Sequence, residues 1–238
     1  MILVVIFIII HIMKRHYRIL YVQNCTFPMH FITHNKNTTP HFNMHIAKWA
    51  ASSILFINRS RASCRRHVHS MNIMGARAIF FTGTCGINEW IDGLRLCTDA
   101  VENHYHPGWK RLYDSEQAVA DAASAPTATD NTGHGLWLFG YSLGGALATI
   151  HAAELARRGM HGTINGLYTF GSPRVCDRET AHLLDATVPN NFRVSNTYDP
   201  VVRLPPEFMG YCHTGREVSV SFVDPLCSHT LYNYCKHV

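Results

Sequence analysis

Residues 136–159 read LWLFGYSLGGALATIHAAELARRG. Four apolar residues, Leu136 to Phe139, run into Gly140-Tyr141-Ser142-Leu143-Gly144, and an alanine-rich stretch continues to Gly159. A short unbroken apolar run that stops at a glycine reads as a fully buried strand. Ala146 to Arg158 reads as a helix, with Gly159 where a helix ends. Glycines on both sides of Ser142 let strand and helix approach closely, which holds the serine on a strained corner at the helix N-terminus with Oγ above the sheet. The next amide, Leu143 N–H, faces the same point and can donate to negative charge developing there.

Working outward, ARAIFF (76–81), LYTF (167–170) and FRVSN (192–196) are further short apolar or β-branched runs, each ending in a turn-prone stretch, with helix-compatible segments between. Strands that alternate with helices and lack a polar face belong to a parallel sheet covered on both sides. The expected fold is therefore α/β, with a mostly parallel central sheet and helices on both faces.

A serine hydroxyl is a weak nucleophile unless a base takes its proton, and the base needs a carboxylate to orient it. The chain supplies both downstream. Asp199, in FRVSNTYDPVVRLPP, lies just past a strand, at the carboxyl edge where Ser142 also sits. Read alone, the same residue is also a turn-forming Asp-Pro pair. Three histidines follow. His237 is one residue from the terminus, His213 precedes an alternating strand, and His229 follows that strand in a loop able to fold back over the edge. His229 is the favoured base.

FGYSLGGALA, YTFGSPRV, RVSNTYDPVVRLPP, GYCHTGREV and SHTLYNY, in that order, resemble the class 3, or fungal-type, triacylglycerol lipases. The likeness extends upstream to IFFTGTCGINEWIDGL and YHPGWKRLY, and covers about residues 75–235. The resemblance implies an α/β-hydrolase with Ser142 as nucleophile, Asp199 as acid and His229 as base. His213 falls in the family's structural Tyr-x-His-x-Gly segment. Thr84 matches the position that completes the oxyanion hole with the Leu143 amide. Ile87, Trp90, Ile91 and Leu94 share one face of a short helix that matches the family's lid, an apolar flap over the serine; an ordinary core-packed helix is the alternative. Two positions depart from the pattern: Tyr141 stands for the usual histidine before the serine, and Thr82 for an arginine common before Gly-Thr.

The expected activity is hydrolysis of lipid carboxylic esters through an acyl-enzyme, with no metal or organic cofactor. Phospholipase A1 and short-chain carboxylesterase activity stay open within this chemistry, and an inactive lipid-binding module is the alternative outside it. The expected partner is a lipid or ester substrate at a membrane or droplet surface, with no obligate protein partner.

Composition bounds the rest. Apolar residues make up 47% and charged residues 16% of the chain, a balance that fits a packed globule rather than a disordered one. Residues 1–88 carry ten Lys/Arg and no acid, while residues 89–238 carry eleven against sixteen acids. A basic leader suits nucleic acid, an anionic membrane or a targeting role, but no nucleic-acid recognition motif accompanies it. Residues 1–70 are therefore read as a leader and residues 71–238 as the lipase-like domain. The apolar run MILVVIFIIIHIM spans about 20 Å as a helix against about 30 Å of hydrocarbon, so it is too short to cross alone. As an uncleaved anchor it places Lys14, Arg15 and Arg18 on the cytoplasmic side. The sequons at Asn24, Asn37 and Asn58 instead imply an exported chain, leaving membrane association and secretion both open. A loosely ordered start is a third reading.

Eight cysteines lack zinc-type C-x-x-C spacing, and only Cys227 and Cys235 suggest a local bridge. The close pairs His67/His69 and His104/His106 have no obvious ligand set, and His134, His151, His161 and His182 read as surface or loop residues.

Overall fold

The computed structural model describes residues 41–60, 67–73, 76–83, 100–125, 135–223 and 228–238. Six strands, β1 (Val68–Ile73), β2 (Ala76–Phe81), β3 (Leu136–Tyr141), β4 (Ile164–Phe170), β5 (Asn191–Asn196) and β6 (Arg216–Val220), lie side by side in sequence order. β1 runs antiparallel to β2 and every later pairing is parallel. Parallel neighbours need crossovers: α2 (Pro107–Ser124), α3 (Leu143–Arg157) and α4 (Arg178–Thr187) supply the first three, and a connection with two 3-10 turns, Val201–Arg203 and Glu207–Met209, joins β5 to β6. Two further helices, α1 (Met44–Ser60) and α5 (Leu231–His237), lie at the two ends of the described chain.

The four inner strands, β2 to β5, bury both faces, as their apolar runs require, while the edge strands β1 and β6 are largely exposed. Ile79, Phe81, Leu136, Leu138 and Leu167 join α2, α3 and α4 in one core layer. The alternate positions Ala78, Phe80, Trp137, Phe139, Tyr168 and Phe192 join α1 and α5 in the other. Phe80, Phe139, Tyr168 and Phe192 stand opposite one another on neighbouring strands and form a row of ring contacts 5.3–6.0 Å between centroids. Trp49 of α1 packs edge-on to Phe80 and Phe139.

Two features differ from the sequence reading. One face of α1 (Ile46, Ala47, Trp49, Ala50, Ala51 and Ile54) and Val68, upstream of the boundary drawn at residue 71, are packed in the core. Ile46, Trp49 and Ile54 give α1 an apolar face that covers the aromatic row, and the basic, acid-free composition around them masks that face. His151, read as a surface or loop residue, is fully buried on α3 between Tyr113 Oη, 3.0 Å from Nδ1, and Ser124 Oγ, 2.7 Å from Nε2. Two hydrogen-bond partners make that burial tolerable.

Among the described residues no helix is long and apolar enough to cross a membrane. Residues 1–40 lie outside the described residues, as do Thr84, the lid residues Ile87, Trp90, Ile91 and Leu94, and Cys227. Asn58 sits in the last turns of α1, and its Oδ1 is buried without a hydrogen-bond partner.

Candidate active site

The β3–α3 corner places Ser142 at φ 55° and ψ −124°, a left-handed conformation costly for a residue with a side chain. The flanking glycines explain how the corner closes. A Cβ on Gly140 would lie 2.3 Å from Gly144 O, and one on Gly144 would lie 2.1 Å from Phe81 O. Neither position accepts a side chain. Ser142 N–H donates to Phe170 O at 2.9 Å, tying the corner to the end of β4. Leu143 opens α3, so its amide has no acceptor within the helix.

Asp199 follows β5 and is completely buried. Its Oδ1 accepts from Val201 N–H at 2.8 Å. Its Oδ2 accepts from Tyr234 Oη at 2.7 Å and lies 2.6 Å from His229 Nδ1. His229 Nε2 is in turn 2.7 Å from Ser142 Oγ. A carboxylate on one side and a hydroxyl on the other assign the imidazole proton to Nδ1, leaving Nε2 to accept from the serine. The chain thus converges three side chains from the ends of β3 and β5 and the start of α5.

The other two histidines weighed for the base lie elsewhere. His213 Nε2 donates to Val202 O at 2.7 Å, and His237 Nδ1 lies 2.8 Å from Asn233 O. Gly171, at φ 54°, passes close beneath Asp199, His229 and Tyr234. A Cβ there would sit 3.0 Å from Tyr234, 3.1 Å from Asp199 Oδ2 and 3.2 Å from His229 Cε1.

Three residues with no role in the sequence reading hold this geometry. Tyr141 Oη donates to His229 O at 2.7 Å and its ring stacks on the imidazole. Tyr234 Oη, besides donating to Asp199, accepts from Asn196 N–H at 3.0 Å. Asn196 Nδ2 donates to Ser228 O at 3.1 Å, anchoring the loop that carries His229. Burial, and then the Asp199 charge, push the Tyr234 phenol well above its ordinary range, which keeps it a donor. Tyr234 stands inside the quoted motif SHTLYNY, where a phenol on the turn after the base was the available signal.

A further cluster of ligand-type groups lies apart. His104 Nδ1 is 2.8 Å from Asp177 Oδ2, with Glu179 nearby. Asp177 also caps α4 by accepting from Thr180 N–H at 2.8 Å, and Glu179 pairs with Arg157 at 3.8 Å. These partners account for the cluster as a helix cap.

Residues 78–209 match the profile of the family described as Lipase (class 3), which is more than half of the chain. The chain belongs to the class 3 lipase family. Within this class 3 lipase, the matched span holds Ser142 and Asp199, while His229 lies beyond it. The chain is 34% identical over 139 residues to a secreted mono- and diacylglycerol lipase of Fusarium solani, a match covering 57% of this chain and 41% of that enzyme. It therefore spans less than half the length of that relative. A solved triacylglycerol lipase whose catalytic centre is described as a serine protease triad is 28% identical, with TM-score 0.51, covering 61% of this chain and 57% of the other. The mono- and diacylglycerol lipase of Aspergillus oryzae shares the fold at 17% identity and TM-score 0.59, covering 78% of this chain and 82% of that one.

Proposed function

We propose that this class 3 lipase hydrolyses carboxylic esters of acylglycerol-type lipids through an acyl-enzyme. His229 Nε2 takes the Ser142 proton as Oγ attacks the acyl carbonyl, and Asp199 stabilises the imidazolium. The Leu143 amide and Thr84 hold the oxyanion. His229 then protonates the departing alcohol, and water reverses the sequence to release the acid. Ile87, Trp90, Ile91 and Leu94 form the lid, whose apolar side meets the lipid surface. The single observation that carries the reading is the unbroken contact from Ser142 Oγ through His229 to Asp199, at 2.7 and 2.6 Å. The similarity to a secreted mono- and diacylglycerol lipase of Fusarium solani supports acylglycerols as the substrate class and export as the destination.

The test is hydrolysis of a short-chain ester and of an emulsified diacylglycerol by the wild type and Ser142→Ala. Loss of about 10⁴-fold or more in kcat is expected for the variant. Equal rates would leave a lipid-binding module as the surviving account.

A further inference from the structure

Cys176 and Cys212 stand opposite each other in an isolated antiparallel bridge, with Cys212 N–H donating to Cys176 O at 2.8 Å. Both carry free thiols. On its other side Cys176 bridges Tyr105, so three connections lie edge to edge here: the approach to α2, the β4–α4 link, and the link from β5 to β6 that carries Asp199. Opposed residues of an antiparallel pair project to the same face, with Cα atoms about 5.5 Å apart when the pair is hydrogen-bonded. A disulfide spans Cα separations of about 4.4–6.8 Å, which this pairing meets, and Cβ separations of about 3.5–4.5 Å, which a hydrogen-bonded pair reaches once the two Cβ atoms close by about 1 Å. Cys212 also lines a small cavity with Ser172, Thr149 and His213, so its side chain is not packed on every side.

We propose that Cys176 and Cys212 form a redox-reactive pair whose disulfide staples the Asp199-bearing connection to the β4–α4 connection. The oxidant is a low-molecular-weight disulfide. The partly exposed Cys212 attacks first, as thiolate, displacing one small thiolate and forming a mixed disulfide. Cys176, deprotonated in turn, attacks Cys212 Sγ and displaces the second. Two protein thiols become one disulfide, the small disulfide becomes two thiols, and the two protons pass to the leaving thiolates. Cys176 is completely buried, and burial holds its thiol well above the usual range. The second step therefore sets the rate and accelerates under conditions that loosen the bridge.

The closed loop holds roughly 40 residues, long enough for the cross-link to restrict the unfolded chain substantially. The experiment equilibrates the full chain with glutathione disulfide or with reduced glutathione, then maps peptides without reduction and records the thermal midpoint. A peptide linking Cys176 to Cys212 is expected in the oxidised sample only, with a midpoint about 5–15 °C higher. Cys212→Ala, at the more exposed position, should fold as the reduced wild type does and lose that shift, which separates this pair from the other six cysteines. Cys176→Ala should do the same. Absence of the 176–212 peptide after equilibration in mild denaturant, a bridge from Cys212 to a different cysteine, or a redox shift that survives in Cys212→Ala would each overturn the proposal.

Discussion

Tyr141 and His229 are joined twice: the phenol donates to the His229 carbonyl at 2.7 Å, and the two rings stack with centroids 5.2 Å apart and planes 23° from parallel. The residue before the serine thus fixes both the height and the tilt of the imidazole. A phenylalanine keeps the stack and drops the hydrogen bond.

Tyr141→Phe should therefore lower kcat about five- to tenfold, the rate equivalent of about 1 kcal/mol of lost positioning. Steady-state kinetics on a soluble ester read this directly. KM should change little, because Tyr141 acts through His229. An unchanged kcat would mean that stacking alone sets the ring.

Tyr234→Phe removes a donor from Asp199 Oδ2 and an acceptor from Asn196 N–H. With one donor fewer, Asp199 is held less firmly against the imidazole, so kcat should fall while KM on a soluble ester stays the same. A loss of stability alone would lower the thermal midpoint and leave kcat per folded molecule in place. We expect kcat to fall about tenfold.

Acid should weaken the fold through two buried histidines. Burial pushes the pKa of His151 down from 6.5 to about 4, and burial with the nearby Arg193 pushes His213 down to about 3. An unfolded chain takes up protons as pH falls through 6.5, while the folded chain keeps both rings neutral. The stabilisation is complete above about 6.5 and drains away as pH falls, fully by about 4 for His151 and about 3 for His213. The His151 contribution is on the order of 3 kcal/mol. Thermal midpoints measured from pH 7 to pH 4 should fall, and His151→Gln should make the slope shallower. An identical slope in the variant would assign the acid loss elsewhere.

Much of this architecture was legible before any coordinates. ARAIFF matches β2 residue for residue, and LWLF opens β3, because strands buried on both faces leave unbroken apolar runs. The corner at Ser142 was legible because two glycines answer two backbone clashes below 2.5 Å. What escaped was carried by polar contacts between distant residues. Nothing along the chain reveals that Tyr141 reaches residue 229, or that Asn196 holds the loop at Ser228. His151 escaped because a histidine in an alanine-rich helix has no local sign of the tyrosine and serine that satisfy it. α1 escaped because its aromatic Trp49 belongs to a face that only the sheet completes.

The most direct measurement is labelling with an alkyl phosphonate ester, whose phosphorus takes the place of the acyl carbon, followed by mass mapping of the adduct. One adduct on Ser142 is predicted, slowed by orders of magnitude in His229→Ala and absent in Ser142→Ala. A stable adduct on any other side chain, or undiminished labelling of Ser142 without His229, would contradict the account.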